Sequence, residues 1–297
     1  MISVVLGSYN RLVFLKLAIA SVRNQINSPL NEIIVVDGGS TDGSLEWLLE
    51  QKDIITIVQH NRGEWLGKKI ERRSWGYFMN LAFKCASSKY VCMISDDTIL
   101  HPNALAEGYK QFEDCLSAGQ KIGALAFYWR ETFDAQLYHV GTPADGLVYV
   151  NHGLFLKEAL QQINYIEEDA FKFYCADIDL CLKIWDAGYK VCAGERAYVE
   201  HYPYATLAVK KGNQALALND YSELIKKWQP IFPQLNNRNL GDMRKKNYQD
   251  SYKTINLYKS LHHELLKNNR SYFFKKRVNN YLNDFCGAAK FWLRTLR

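Results

Sequence analysis

The first hundred residues alternate between short apolar runs and amphipathic stretches, and the alternation predicts strands and helices in turn. Residues 2–6 (Ile-Ser-Val-Val-Leu) read as a buried strand, and the polar break Gly7-Ser8-Tyr9-Asn10 follows. Apolar residues at 12, 15, 18, 19 and 22 then draw a helical stripe. Residues 32–36 form a second apolar run that ends at Asp37 and a glycine-rich turn, Gly38 to Gly43. A helix through Leu45, Leu48 and Leu49 follows, with Asp42 or Ser44 placed to cap it. Residues 54–58 predict a third strand, 75–86 a helix and 90–94 a fourth strand. Strands alternating with helices imply βαβ units and a mainly parallel sheet, which binds ligands outside the carboxyl ends of its strands. Asn10, Asp37 and the pair Asp96-Asp97 all fall at such ends.

Further along, residues 122–129 and 146–150 read as strands, and 154–163 as a helix. Residues 177–187 carry a helical stripe that stops at Gly188, a good C-terminal signal, and 189–193 form a short strand. From about residue 216 the pattern changes to helices and polar linkers, which sets a boundary between a domain over 1–215 and a helical extension over 216–297. Between 274 and 296 apolar side chains fall on one helical face, with Lys275, Lys276, Arg277, Lys290, Arg294 and Arg297 around it. Such a basic helix can lie in an anionic membrane surface. It can equally pack on the domain or on a second copy in a homodimer, as any amphipathic helix does.

Composition narrows the class. At 297 residues and 48% hydrophobic content the chain is an ordinary globular protein. The seven cysteines include no CxxC spacing, so a reducing, cytoplasmic setting is expected over a zinc or disulfide framework. The start of the chain has no signal-peptide pattern. Of the net charge of +6, residues 241–297 hold 13 Lys/Arg against 4 Asp/Glu, a basic tail on a nearly neutral body. An anionic partner is implied, at the cytoplasmic face of a membrane in preference to nucleic acid, because the tail's aromatics follow the amphipathic face. Residues 61–74 carry Arg62, Lys68, Lys69, Arg72 and Arg73, either a flap over an anionic ligand or a solvated charge run.

The chemistry centres on Asp96 and Asp97. Two adjacent carboxylates at a strand tip repel unless they lie in solvent or a cation neutralises them. Divalent cations are often held by one or two carboxylates together with substrate phosphates. An exposed acidic turn is the other reading.

Ser3 to Arg11, with Gly7-Ser8-Tyr9-Asn10 at its centre, resembles the opening strand and turn of the family 2 glycosyltransferases. Val35-Val36-Asp37-Gly38-Gly39-Ser40-Thr41-Asp42-Gly43-Ser44 resembles their second signature, and Ser95-Asp96-Asp97 their acidic motif. Asp177-Ile178-Asp179-Leu180-Cys181-Leu182, followed by Ala187-Gly188-Tyr189-Lys190-Val191, resembles the segment carrying their catalytic acid. The landmarks run in order over about residues 1–205.

The resemblance implies a GT-A fold, an α/β architecture with one Rossmann-like, mixed and mainly parallel sheet flanked by helices. It implies an inverting transferase that moves a sugar from a UDP-, GDP- or dTDP-linked donor to a saccharide or lipid-linked hydroxyl acceptor, with Mn2+ or Mg2+. On this reading Asp97 and His201 hold the metal and Asp177 is the base. Ser8, Tyr9, Asn10, Asp37, Asn80 and Asp96 contact the nucleotide-sugar. Arg11 is a weaker candidate. Ala176 stands where the family places an acid before the base, so an inactive homologue that binds nucleotide as a scaffold is the alternative; Met79 stands where the family often has an arginine, which one of the cations of residues 61–74 replaces on this reading.

Overall fold

The computed structural model describes residues 1–130, 137–144, 146–202, 207–236 and 240–248, with backbone only over 207–215. Residues Met1–Gln249 form one compact unit.

The N-terminal half is the βαβ series expected. Strand β1 (Ile2–Ser8), helix α1 (Leu12–Arg23), β2 (Leu30–Asp37), α2 (Ser44–Glu50) and β3 (Ile54–Val58) follow in turn. A small hairpin comes next, β4 (Glu64–Trp65) and β5 (Lys68–Lys69), then α3 (Trp75–Cys85) and β6 (Tyr90–Met93). Beyond it lie β7 (Thr98–Leu100), α4 (Ala104–Ser117), β8 (Ile122–Arg130), β9 (Leu137–Gly141), β10 (Gly153–Leu156), α5 (Lys157–Gln162), α6 (Ala176–Asp186) and β11 (Lys190–His201). Helix α7 (Leu207–Trp228) and strand β12 (Met243–Asn247) close the unit.

The main sheet runs β12-β9-β8-β10-β6-β1-β2-β3, with β11 pairing both β8 and β7. Strands β6, β1, β2 and β3 are parallel neighbours, so Ser8, Asp37, Val58 and Met93 all end at one edge. Strand β10 is antiparallel to both β6 and β8, which brings its beginning, Gly153, level with Met93. Strand β11 is parallel to β8, so its last residue, His201, reaches the same edge and pairs with Thr98 of β7. The strands of the centre are apolar on both faces because helices cover both. Val4, Val5, Val35, Val36, Cys92, Leu125 and Phe155 are all buried in one core.

Three sequence expectations are corrected. The 146–150 run is not a strand; Leu147 makes one isolated bridge with Ala144, and the strand lies at Gly153–Leu156, overlapping the start of the region predicted as helix. Both are short, wholly apolar runs, in which periodicity cannot separate strand from helix. The real helix there is only Lys157–Gln162. The short 189–193 strand is a twelve-residue strand that carries His201. Gly153 explains the tight start of β10, since a Cβ on it would lie 2.1 Å from the Leu125 carbonyl oxygen. The helix expected over 274–296 lies outside the described residues.

Candidate active site

Several chain segments meet at the carboxyl edge of the sheet. The turn after β1 and the turn after β2 are clasped together by Asn10. Its backbone N–H donates to Ser40 Oγ at 2.9 Å, and its Oδ1 accepts from the Thr41 N–H at 2.7 Å. Asn10 has a φ of 52°, a left-handed conformation that asparagine tolerates better than most residues. Asp37 is fully buried beneath this clasp. Its Oδ1 accepts from the Gly39 and Ser40 N–H groups at 2.8 and 2.7 Å, and its Oδ2 from Ser40 Oγ at 2.7 Å. Asn10 and Asp37, expected among the nucleotide contacts, thus use these oxygens to shape the turns. Tyr9 stands at the surface of the first turn, with the Arg62 guanidinium 5.0 Å from its ring centroid. Ser8 is buried at the end of β1.

The acid pair is neither an exposed turn nor without a counter-charge. Asp96 and Asp97 are both buried, and Arg11, which begins the chain's path into α1, lies across them. Its Nη1 donates to Asp96 Oδ1 at 3.0 Å and to Asp97 Oδ2 at 2.5 Å. Burial disfavours the Asp96 charge and, with repulsion from Asp97, pushes its carboxyl up to about 6 against the pull of Arg11. Burial also opposes the charge on Asp97, but His201 and Arg11 outweigh it and hold that carboxyl below the ordinary range. Asp97 is therefore the more readily ionised member of the pair. Its Oδ1 accepts from Ser95 Oγ at 2.6 Å and lies 3.4 Å from His201 Nε2. The Tyr202 N–H donating to the Asp97 carbonyl at 2.9 Å holds the end of β11 against the acid turn.

This donor set fits a hard divalent ion in part. A carboxylate oxygen and an imidazole nitrogen 3.4 Å apart have the spacing of two ligands on one ion, and such ions take further oxygens from phosphates and water. His201 Nδ1 is buried with no hydrogen-bond partner among the described residues. No group of three His, Cys, Asp or Glu side chains surrounds a single metal position among the described residues, so substrate oxygens would have to complete the shell.

Across the edge, Asp177 sits in the first turn of α6, after Cys175 at a left-handed φ of 67°. Asn151 Nδ2 donates to its Oδ2 at 3.1 Å, and the Ile178 N–H to its Oδ1 at 2.9 Å. Burial raises the Asp177 carboxyl above the usual range despite these donors. The next residue after Asn151 is His152, whose ring centroid lies 4.9 Å from that of His201. His152 is 2% exposed, and burial, then the neighbouring His201, hold it neutral. Asn151 and His152 therefore join the two halves of the site, one touching Asp177 and the other facing His201.

Sequence reading missed three contributors. Asn151 and His152 carried no motif, and only the reversed direction of β10 brings them to the edge. Asp220 of α7 lies far along the chain in a helix of weak amphipathic pattern. It is fully buried and accepts from the backbone N–H groups of Lys172, Phe173 and Tyr174 at 3.1, 3.0 and 2.8 Å, which fixes the loop leading into α6. Asp179, the other acid of α6, is held by Lys227 Nζ and Trp228 Nε1, both at 2.7 Å. Asn80, expected among the nucleotide contacts, is buried in α3, donating to the Ile166 carbonyl at 2.9 Å and accepting from the Ile166 N–H at 3.0 Å. Its distance along the chain from the loop it holds hid that role.

Residues 3–119 match the family described as glycosyl transferase family 2. An uncharacterized glycosyltransferase of Nostoc sp. is 30% identical over 113 residues, covering 38% of this chain and 33% of the relative. Protein CgeD of Bacillus subtilis is 24% identical over 166 residues, covering 55% of this chain and 36% of the relative. The chain thus spans about a third of the length of these curated relatives. Among solved structures, the mannosyltransferase PcManGT of Pyrobaculum calidifontis, in complex with GDP-Man and Mn2+, aligns with a TM-score of 0.57 at 18% identity, over 79% of this chain and 67% of that one. TarS of S. aureus aligns at 0.50 and 14% identity, over 76% and 42%. The fold is that of the GT-A glycosyltransferases.

Proposed function

Since residues 3–119 carry the pattern of glycosyl transferase family 2 on a GT-A fold, we propose that the protein is a metal-dependent, inverting glycosyltransferase. The observation that carries this reading is the meeting, at one sheet edge, of a buried anionic Asp97 beside His201 with a carboxylate of raised pKa, Asp177, at a helix start. The donor is a nucleotide-sugar and the acceptor a saccharide or lipid-linked hydroxyl. The basic end of the chain gives a route to the cytoplasmic face of a membrane.

Asp97 and His201 would hold Mn2+ or Mg2+, which stabilises the charge that builds on a departing diphosphate. The remaining work falls to this chain's own side chains. Asp177 accepts the proton of the acceptor hydroxyl, the hydroxyl oxygen bonds to the anomeric carbon, and the bond from that carbon to the phosphate oxygen breaks with its electron pair. A single displacement inverts the anomeric centre. A carboxyl of raised pKa is a stronger base than an ordinary aspartate, which suits this step. Asn151 orients the receiving carboxylate through its 3.1 Å bond. Arg11, already on the acid pair, has the charge and reach to meet an incoming phosphate.

Incubation with a panel of nucleotide-sugars and Mn2+ or Mg2+ tests the reading. Donor hydrolysis, or transfer to a saccharide, is expected only with metal. Tight nucleotide binding with no turnover across a wide acceptor panel would replace the enzyme by a nucleotide-binding scaffold.

A further inference from the structure

The hairpin between β3 and α3 has an apolar tip that the fold does not use. Trp65 is 72% exposed and Leu66 84% exposed, side by side in sequence. Strands of two residues are too short to persist alone. This one is clasped at its base: the Ile70 N–H donates to the Gly63 carbonyl at 2.9 Å, and the Arg73 N–H donates to Asn61 Oδ1 at 2.5 Å. The two residues of its turn, Leu66 and Gly67, have φ values of 50° and 73°. Positive φ at both positions is the geometry that favours Asn-Gly and disfavours a bulky side chain at the first position. A leucine there carries backbone strain and gains no burial. Folding alone would select asparagine.

The hairpin and its flanks are rich in cations. Arg62, Lys68, Lys69, Arg72 and Arg73 stand against only Glu64 and Glu71 in this hairpin and its flanks. Arg62 and Arg72 lie close enough that burial and the Arg62 charge lower the Arg72 guanidinium from its ordinary value. Arg62, Lys69, Ile70 and Arg72 line an open cleft of about 520 Å3 under the hairpin.

From the strained leucine, the exposed tryptophan and this charge, we propose that the Trp65–Leu66 hairpin inserts into the interfacial layer of an anionic lipid surface. A tryptophan settles at the headgroup level, a leucine enters the acyl boundary, and the cations of the hairpin are attracted to an anionic surface. A saccharide platform would make use of Trp65 but has no use for a strained, solvent-facing leucine. The hairpin is tied to the site through Arg62, whose guanidinium lies over Tyr9, so the nucleotide turn would face the same surface. The inference stands independently of the transferase reading and of the basic C-terminal tail.

Flotation of the full-length protein with vesicles of phosphatidylcholine, with and without phosphatidylglycerol, tests it, alongside thermal melting. The wild type is expected to float only with the anionic vesicles. Leu66→Asn should lose about tenfold in vesicle affinity while its melting temperature holds or rises, because asparagine suits the turn. A purely structural leucine could not give that pair of results. Lys68→Gln with Lys69→Gln should lose about tenfold or more, from the two charges removed. No flotation of the wild type, or equal flotation of wild type and Leu66→Asn, overturns the proposal. So does a Trp65→Ser variant that floats normally but binds soluble oligosaccharide more weakly, which would make the tip a sugar platform. Donor hydrolysis measured without vesicles reports separately on the transferase reading.

Discussion

At the residue scale the site is a balance between two aspartates with opposite environments. Asp177 pays for its position: burial raises its carboxyl, so its ionised form is less stable in the fold than in the unfolded chain. Stability is therefore lost as pH rises through that raised value, and removal of the charge should return it. Asp177→Asn is expected to melt at a higher temperature than the wild type, to keep metal-dependent nucleotide binding and to lose about 10²- to 10⁴-fold in transfer rate. The wild-type rate should fall on the acid side at a higher pH than an ordinary aspartate, near 4, would give. Near-normal transfer by Asp177→Asn would remove it as the base. Arg11 is the other residue whose replacement is informative. Arg11→Met leaves two buried carboxylates facing each other with one cation removed, and should melt at a lower temperature than the wild type without metal. Mn2+ should then raise the melting temperature of Arg11→Met more than that of the wild type, since the ion replaces the missing charge. Equal shifts would mean that Arg11 and the ion do not compete for the pair.

At the element scale, the positions of α3, α6 and α7 decide whether these side chains meet. Asp220 of α7 gathers three N–H groups of the loop before α6, and Asn80 of α3 gathers both backbone groups of Ile166. Asp220→Asn keeps one oxygen acceptor and loses the charge, so the loop should loosen without coming free. We expect kcat to fall about tenfold with little change in nucleotide affinity, because displacement of the base by a fraction of an ångström acts on transfer and not on donor binding. A parallel loss of nucleotide binding would show that α7 supports the whole site. The βαβ half was legible in the sequence because its strands are apolar runs bounded by turn residues, which put Asp96 and Asp97 after a strand end; Asp177 and His201 were named only through the family resemblance. Asn151 and His152 could not, because their place depends on β10 running antiparallel between β6 and β8, a pairing over long sequence separation. The direction of a short, wholly apolar strand leaves no mark on its own residues. The oxygens of Asn10 and Asp37 were legible as polar but not as the acceptors of their own turns, since a carboxylate that shapes a loop and one that meets a ligand look alike in sequence.

At the scale of the whole molecule, the compact unit runs to Gln249 and so takes in α7 and β12, which the change of pattern near residue 216 had separated from the sheet. Strand β12 pairs with β9 over Met243–Asn247 and covers what would otherwise be an open sheet edge. Lys246 Nζ donates to Glu195 Oε2 and to the Glu195 carbonyl, both at 2.6 Å, and Tyr248 stacks on Tyr198 with ring centroids 4.2 Å apart. A chain ending after Gln249 keeps all of these contacts and discards ten Lys/Arg against three Asp/Glu. It should fold with a cooperative melt close to that of the full chain and keep metal-dependent donor hydrolysis. A chain ending after Asn239 loses β12, exposes the N–H and C=O groups of β9 over Leu137–Gly141 and frees Glu195, so it should melt lower and aggregate. Melting curves and light scattering of the two truncations side by side decide the point. Equal stability of both would mean that β12 is an accessory strand, and that the working unit ends with α7.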